Sequence, residues 1–153
     1  EYFDVAIDIV LNRYSGTINK LMGDGMMAYF GFPMPNESHA YTAVQAALDI
    51  QRGIQLRNIN RPEAHPLEVG IGIATGEVIV GNIGSQDYKD FTLLGTTVNL
   101  ASRLDDQNKT LGTGILISPE TYAAVKGRVP CNPHENQSIQ GWDEPMTVYE
   151  PKG

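Results

Sequence analysis

The sequence predicts an α+β domain, with helices packed on one face of a mixed or antiparallel sheet, and three observations predict it. Apolar residues recur at helical spacing in two long segments, from Tyr41 to Ile54 and from Val98 to Leu104. An Asp-Gly turn signal divides the apolar runs of TINKLMGDGMMAYFG. Short apolar runs punctuated by glycine, as in LEVGIGIATGEVIVGNIGS, occupy much of the remainder.

Each element has its own local reason. Phe3, Ile7, Val10 and Tyr14 fall at three- and four-residue intervals, which predicts a helix ending near residue 15 with Gly16 as its stop. Strand, tight turn and strand follow around Gly23-Asp24-Gly25. Ser38 is placed to cap a long helix that carries Tyr41, Val44, Ala47, Leu48, Gln51 and Ile54 on one stripe, and RPEAHP breaks it. Two β runs flank Thr75-Gly76, and DFTLLG adds another before the second long helix. GILISPETYAAV reads as a strand and a short helix starting at Pro119, and MTVYE as a closing strand.

A chain of 153 residues, 41% of them hydrophobic, is long enough for one core and too short for two, so residues 1–153 are expected to form a single domain. Eleven Lys and Arg against eighteen Asp and Glu give a net charge of −7 without a basic cluster, which argues against nucleic-acid polymers and acidic membrane surfaces as partners. Cys131 is the single cysteine, so no internal disulfide can form and a reducing, cytoplasmic setting is expected. No run reaches the length of a membrane span. The chain begins without Met inside a helix-like segment, and the expectation is an N-terminally truncated piece of a longer protein.

Few side chains carry a chemical signal on pattern alone. Asp24 sits at a hairpin tip, where Asp-Gly has a sufficient structural role in making the turn. Lys20, four residues earlier on the same strand, is about 13 Å away, too far for the pair to share a small contact. Asp8 lies within helical periodicity and reads as a solvated residue. Gly76, Gly81 and Gly84 match no phosphate-loop spacing and read as turns or bulges. His39, His65 and His134 are scattered, which argues against zinc, and no hydrolytic-serine motif is present. Asn99 and Arg103 are the exception in placement: at ~100° per residue they share a helix face with Asp106 beside them, opposite Val98, Leu100, Ala101 and Leu104. A solvated helix face would show the same pattern.

The order of the pieces discriminates better. KLMGDGMMAYFG, then GIGIATGEVIVGNIGS, then DFTLLGTTVNLASRL resemble, in sequence and spacing, the class III nucleotidyl cyclase catalytic domain over nearly the whole chain. The resemblance implies a ferredoxin-like α+β fold that works as a homodimer with active sites between subunits, and conversion of ATP or GTP to a cyclic nucleotide. It implies that Asn99 orients the ribose or triphosphate and that Arg103 stabilises charge near the α-phosphate. Asp24 matches the second of two metal-binding aspartates that together hold two Mg²⁺ or Mn²⁺ ions. Lys20 and Thr92 occupy the two purine-selecting positions, Lys20 serving the opposite site of the dimer from Asp24. A lysine ammonium donates to adenine N1 and a threonine hydroxyl can accept from N6, so this pair suits ATP. Threonine at the second position also marks a subgroup with many bicarbonate-responsive members.

Two departures from the family pattern stand out. The first metal aspartate lies, in the family, on a strand and loop N-terminal to this hairpin, and the chain contains neither, so the isolated 153 residues are expected to have negligible activity. In IQGWDEP, Gln140 stands where a triphosphate-binding lysine is common and Trp142 follows. The expected function is therefore an adenylate cyclase catalytic domain. The alternatives are a guanylate cyclase and a degenerate nucleotide-binding or dimerisation module.

Overall fold

The computed structural model describes residues 2–22, 25–83 and 90–153, with backbone alone at 2, 20–22, 81–83 and 90–92. The first helix, α1 (Tyr2–Ile7), widens into a π-helical segment, Asp8–Arg13. Its end differs from the expectation at one residue. Ser15, with φ 55°, takes the left-handed conformation that was expected of Gly16. Gly16 is instead a packing residue, because a Cβ there would stand 2.5 Å from the Phe30 ring. Asp8 is exposed and accepts a hydrogen bond from Asn12, in keeping with a solvated role.

Strands β1 (Thr17–Met22) and β2 (Gly25–Tyr29) form the expected antiparallel hairpin, with a register shift between Ile18 and Lys20. The long helix α2 (His39–Asn60) follows. Ser38 holds the cap position but its side chain makes no capping bond. Asn36 organises the entry instead, accepting from the Ser38 N–H at 2.9 Å and donating to Thr42 Oγ1 at 3.1 Å.

Helix α2 also buries two faces where one stripe was expected. Ala40, Val44, Ala47 and Leu48 pack with Ile115, Ile117, Val125 and Val129. Ala46, Ile50 and Ile54 pack with Ala6, Ile9 and Val10. Two faces are needed because α2 lies between the sheet and the N-terminal helix. Gln51, at the inner stripe, donates to the carbonyls of Val69 and Gly114 at 2.7 and 3.0 Å, tying two strand entrances together.

The central sheet joins β3 (Ile71–Ile73), β6 (Ile115–Ile117), β8 (Met146–Pro151) and β7 (Cys131–Gln137) in the order β3-β6-β8-β7. β3 and β6 are parallel, and the other two pairings are antiparallel. The runs flanking Thr75-Gly76 are therefore not partners: β4 (Ile79–Ile83) pairs with β5 (Asp90–Leu94). β7 was not expected from sequence. Its residues are mainly polar and include Pro133, a composition tolerated because β7 is an edge strand.

Helices α3 (Thr96–Leu111) and α4 (Pro119–Val125) complete the fold. Side chains alternate across a strand, and β6 is buried on both sides. Ile115 and Ile117 face α2 and α4, while Leu116 packs with Leu100 and Leu104 of α3. Helices thus cover both faces of the sheet, not one. Close approach of α3 to β3 depends on glycine: a Cβ at Gly72 would stand 2.5 Å from the Asp105 nitrogen and 3.0 Å from the Leu104 Cβ.

An ionic cluster fixes the N-terminal helix to α2. Asp49 accepts from the Tyr14 hydroxyl and from Arg52, and pairs with Arg13 at 3.4 Å. Burial opposes ionisation of Asp49, but the hydrogen bonds from Tyr14, Arg13 and Arg52 outweigh it and hold the carboxyl below its ordinary pKa. The hydrogen bond to Asp49 raises the Tyr14 phenol, with burial acting in the same direction. Stability from Asp49 is accordingly present above its unfolded pKa of about 3.9 and is lost as the pH falls from there through the folded value. That from Tyr14 is present below about pH 10 and is lost as the pH rises further. Tyr14→Phe is expected to cost about 1–2 kcal/mol near neutral pH and less in acid, measured by urea denaturation. An equal loss in acid would show that the pairing with ionised Asp49 is not what matters.

Candidate active site

Helix α3 presents the one strongly polar face that the sequence singled out. Gly95, with φ 134°, turns the chain from β5 into α3, and the Asn99 N–H donates to the Gly95 carbonyl at 3.2 Å. Leu100 and Leu104 are buried beneath Ile139, Trp142 and Met146. Burial of this face leaves Asn99 exposed and keeps the Arg103 side chain 42% accessible. Arg103 lies 3.7 Å from Asp106, itself 65% exposed, a loose surface pair that would yield its guanidinium to a stronger anion. At the far end, Asn108 is buried, donates to the Ile71 carbonyl at 3.0 Å and accepts from Thr113, which pins the helix C-terminus to β3.

The other expected residues are placed to different extents. Lys20 is on β1 opposite Met27, and Thr92 is on β5 opposite Gly81. β1 and β5 approach one another, so the strands that carry these two residues are neighbours. The side chains of Lys20 and Thr92, and all of Asp24, lie outside the described residues. Gln140 is exposed, in the turn in which the Trp142 N–H donates to the Ile139 carbonyl.

Among the described residues no group of three or more His, Cys, Asp or Glu side chains could hold a metal ion, and none of their helices is long and apolar enough to cross a membrane. Burial pushes the Cys131 thiol up, away from nucleophilic use. Two open grooves among the described residues, of about 370 and 490 Å³, border Arg13 and are not lined by α3. Among the described residues the polar face of α3 is open to solvent at Asn99 and Arg103.

Sequence reading passed over residues that set this face in place. Gly72 lets α3 approach β3, and Gly76 lies so near the start of α3 that a Cβ would stand 2.7 Å from Thr97 Oγ1. Glycines inside and just after a strand were the available signal.

Residues 4–150 match the family model described as the adenylate and guanylate cyclase catalytic domain. The chain belongs to this family. Adenylate cyclase 1 of Rhizobium meliloti (strain 1021) is 32% identical to this cyclase domain, over 100% of the chain and 23% of that protein. The domain therefore spans about a quarter of that relative's length. The crystal structure of the adenylyl cyclase CyaB from P. aeruginosa matches with a TM-score of 0.87 and 33% identity, over 99% of this chain and 79% of that one. A guanylyl cyclase of known structure matches with a TM-score of 0.85 and 34% identity, over 99% and 77%. The α+β cyclase fold is thereby shown. Similarity to these adenylyl and guanylyl cyclase structures is nearly equal.

Proposed function

We propose that the chain is the catalytic domain of an adenylate cyclase, forming 3′,5′-cyclic AMP and pyrophosphate from ATP in sites shared between two copies. The observation that carries this reading is that Asn99 and Arg103 share one solvent-exposed face of α3. In the reaction the ribose 3′ oxygen bonds to the α-phosphorus, the bond from that phosphorus to the bridging oxygen of the β-phosphate breaks, and the 3′ hydroxyl proton is released. Negative charge builds on the phosphoryl oxygens and the leaving group. A guanidinium fork fits that charge, and an amide one turn earlier can hold the sugar.

Asp24 is proposed to hold divalent metal, Mg²⁺ or Mn²⁺, which would lower the pKa of the attacking hydroxyl and neutralise phosphate charge. Lys20 and Thr92 are proposed to read adenine, donating to N1 and accepting from N6. Their positions on neighbouring strands support this assignment.

The test is cyclic nucleotide formation from ATP and from GTP by the intact dimeric domain, with both metal aspartates present and Mn²⁺ or Mg²⁺ supplied. Cyclic AMP is the expected main product, and equal or faster cyclic GMP formation would overturn the base assignment. Gln140 favours a second reading, a nucleotide-binding module without catalysis, because an exposed amide there supplies no charge to a triphosphate. Binding of ATP without turnover of either nucleotide would support that reading.

A further inference from the structure

A cluster of buried hydroxyls lies at the start of α4, outside the polar face of α3. Ser118 Oγ caps α4 by accepting from the Thr121 N–H at 3.2 Å, and both residues are fully buried. The cap needs nothing from the Thr121 side chain. Yet Thr121 Oγ1 lies 3.0 Å from Ser118 Oγ and 2.7 Å from Thr75 Oγ1, so the hydroxyl ties α4 to the loop that leaves β3. The next residue of that loop, Gly76, lies against Thr97 in the first turn of α3. Further on, the Glu77 carbonyl oxygen is 3.6 Å from where a Cβ on Gly95 would stand. Loop 75–77 is therefore tied by hydroxyls on one side and rests on the start of α3 on the other.

We propose that Thr121, acting through Thr75 and the contact of Gly76 with Thr97, is a positioning residue for the start of α3 and hence for Asn99 and Arg103. The inference rests on the cyclase reading of those two residues. Its physical basis is the cost of moving the loop: displacing Thr75 takes from the wholly buried Thr121 hydroxyl the shortest of its contacts, at 2.7 Å, where water cannot replace it, and leaves it Ser118 Oγ at 3.0 Å and the Ile73 carbonyl at 3.5 Å. A shift of about 1 Å in reacting groups can cost on the order of a hundredfold in rate, so a modest tether has a large lever.

Three full-chain variants test this. Thr121→Val keeps the shape and removes the hydroxyl, Thr121→Ser keeps the hydroxyl, and Val125→Ala disturbs the same helix without touching the tie. Amide hydrogen exchange is read at Asn99 to Arg103 and at Gln107 to Leu111, and kcat and KM are measured with ATP. For Thr121→Val, exchange at Asn99 to Arg103 should rise about tenfold with the far end of α3 unchanged, and kcat should fall about tenfold with KM within about twofold. Thr121→Ser should restore both. Val125→Ala should lower stability while leaving local exchange and kcat per folded molecule near wild type. Unchanged exchange at Asn99 to Arg103 in Thr121→Val, or a uniform rise along α3, would overturn the proposal. Should the wild-type domain, assayed in a dimeric protein that supplies both metal aspartates, make no cyclic nucleotide, the cyclase reading fails by itself, and the exchange result still decides the positioning role.

Discussion

Arg103→Ala is expected to lower turnover of the dimeric cyclase domain by about two to three orders of magnitude, the scale at which a single preorganised charge-stabilising donor acts. Folding should be almost untouched, because the side chain is 42% exposed and Asp106, its loose partner among the described residues, is more exposed still. A surface pair of that kind contributes roughly 0–1 kcal/mol. The separation of the two effects is what distinguishes a catalytic arginine from a solvated one. If the variant loses much of its thermal stability and keeps normal turnover per folded molecule, Arg103 belongs to a solvated face and the active-site reading of α3 is wrong. Arg103→Lys should recover only part of the rate, since an ammonium cannot reproduce the planar fork. Mixing Arg103→Ala with Asp24→Ala chains should restore activity through heterodimers in which one site draws both intact residues from different copies. Absence of complementation would count against a shared site.

Gly72→Ala is expected to be the most damaging small substitution in the sheet. The added Cβ would meet the backbone nitrogen of Asp105 at 2.5 Å and Leu104 Cβ at 3.0 Å, and neither is the end of a flexible side chain that could swing away. Either α3 lifts from β3 or β3 shifts, and overpacking of this kind costs about 1–3 kcal/mol. The functional cost should exceed the stability cost, because the helix that must move carries Asn99 and Arg103. Gly112→Ala provides the contrast. It has φ 68° and nothing within 4 Å, so its cost should come from backbone conformation at the end of α3 and should spare the rate. Urea denaturation and kcat for the two variants separate these cases. A Gly72→Ala chain with wild-type stability and rate would show that α3 does not depend on this contact.

What the sequence determined by itself follows from periodicity and from the chemistry of turns. The antiparallel pairing of β1 with β2, the helix that places Asn99 beside Arg103 and the Pro119 start of α4 all depend on residues within a few positions of one another. Such patterns are legible because backbone geometry repeats every 3.6 or two residues regardless of what lies across the fold. Tertiary structure decided the rest. It gave α2 two buried faces, paired Ile71–Ile73 with Ile115–Ile117 across a long stretch of chain, and made an edge strand of the polar run Cys131–Gln137. It also assigned Gly16 and Gly72 to close packing and joined Thr75 to Thr121. None of these has a local signature, because which strand pairs with which, and where two backbones come near enough to exclude a Cβ, is set by contacts between residues far apart in the chain.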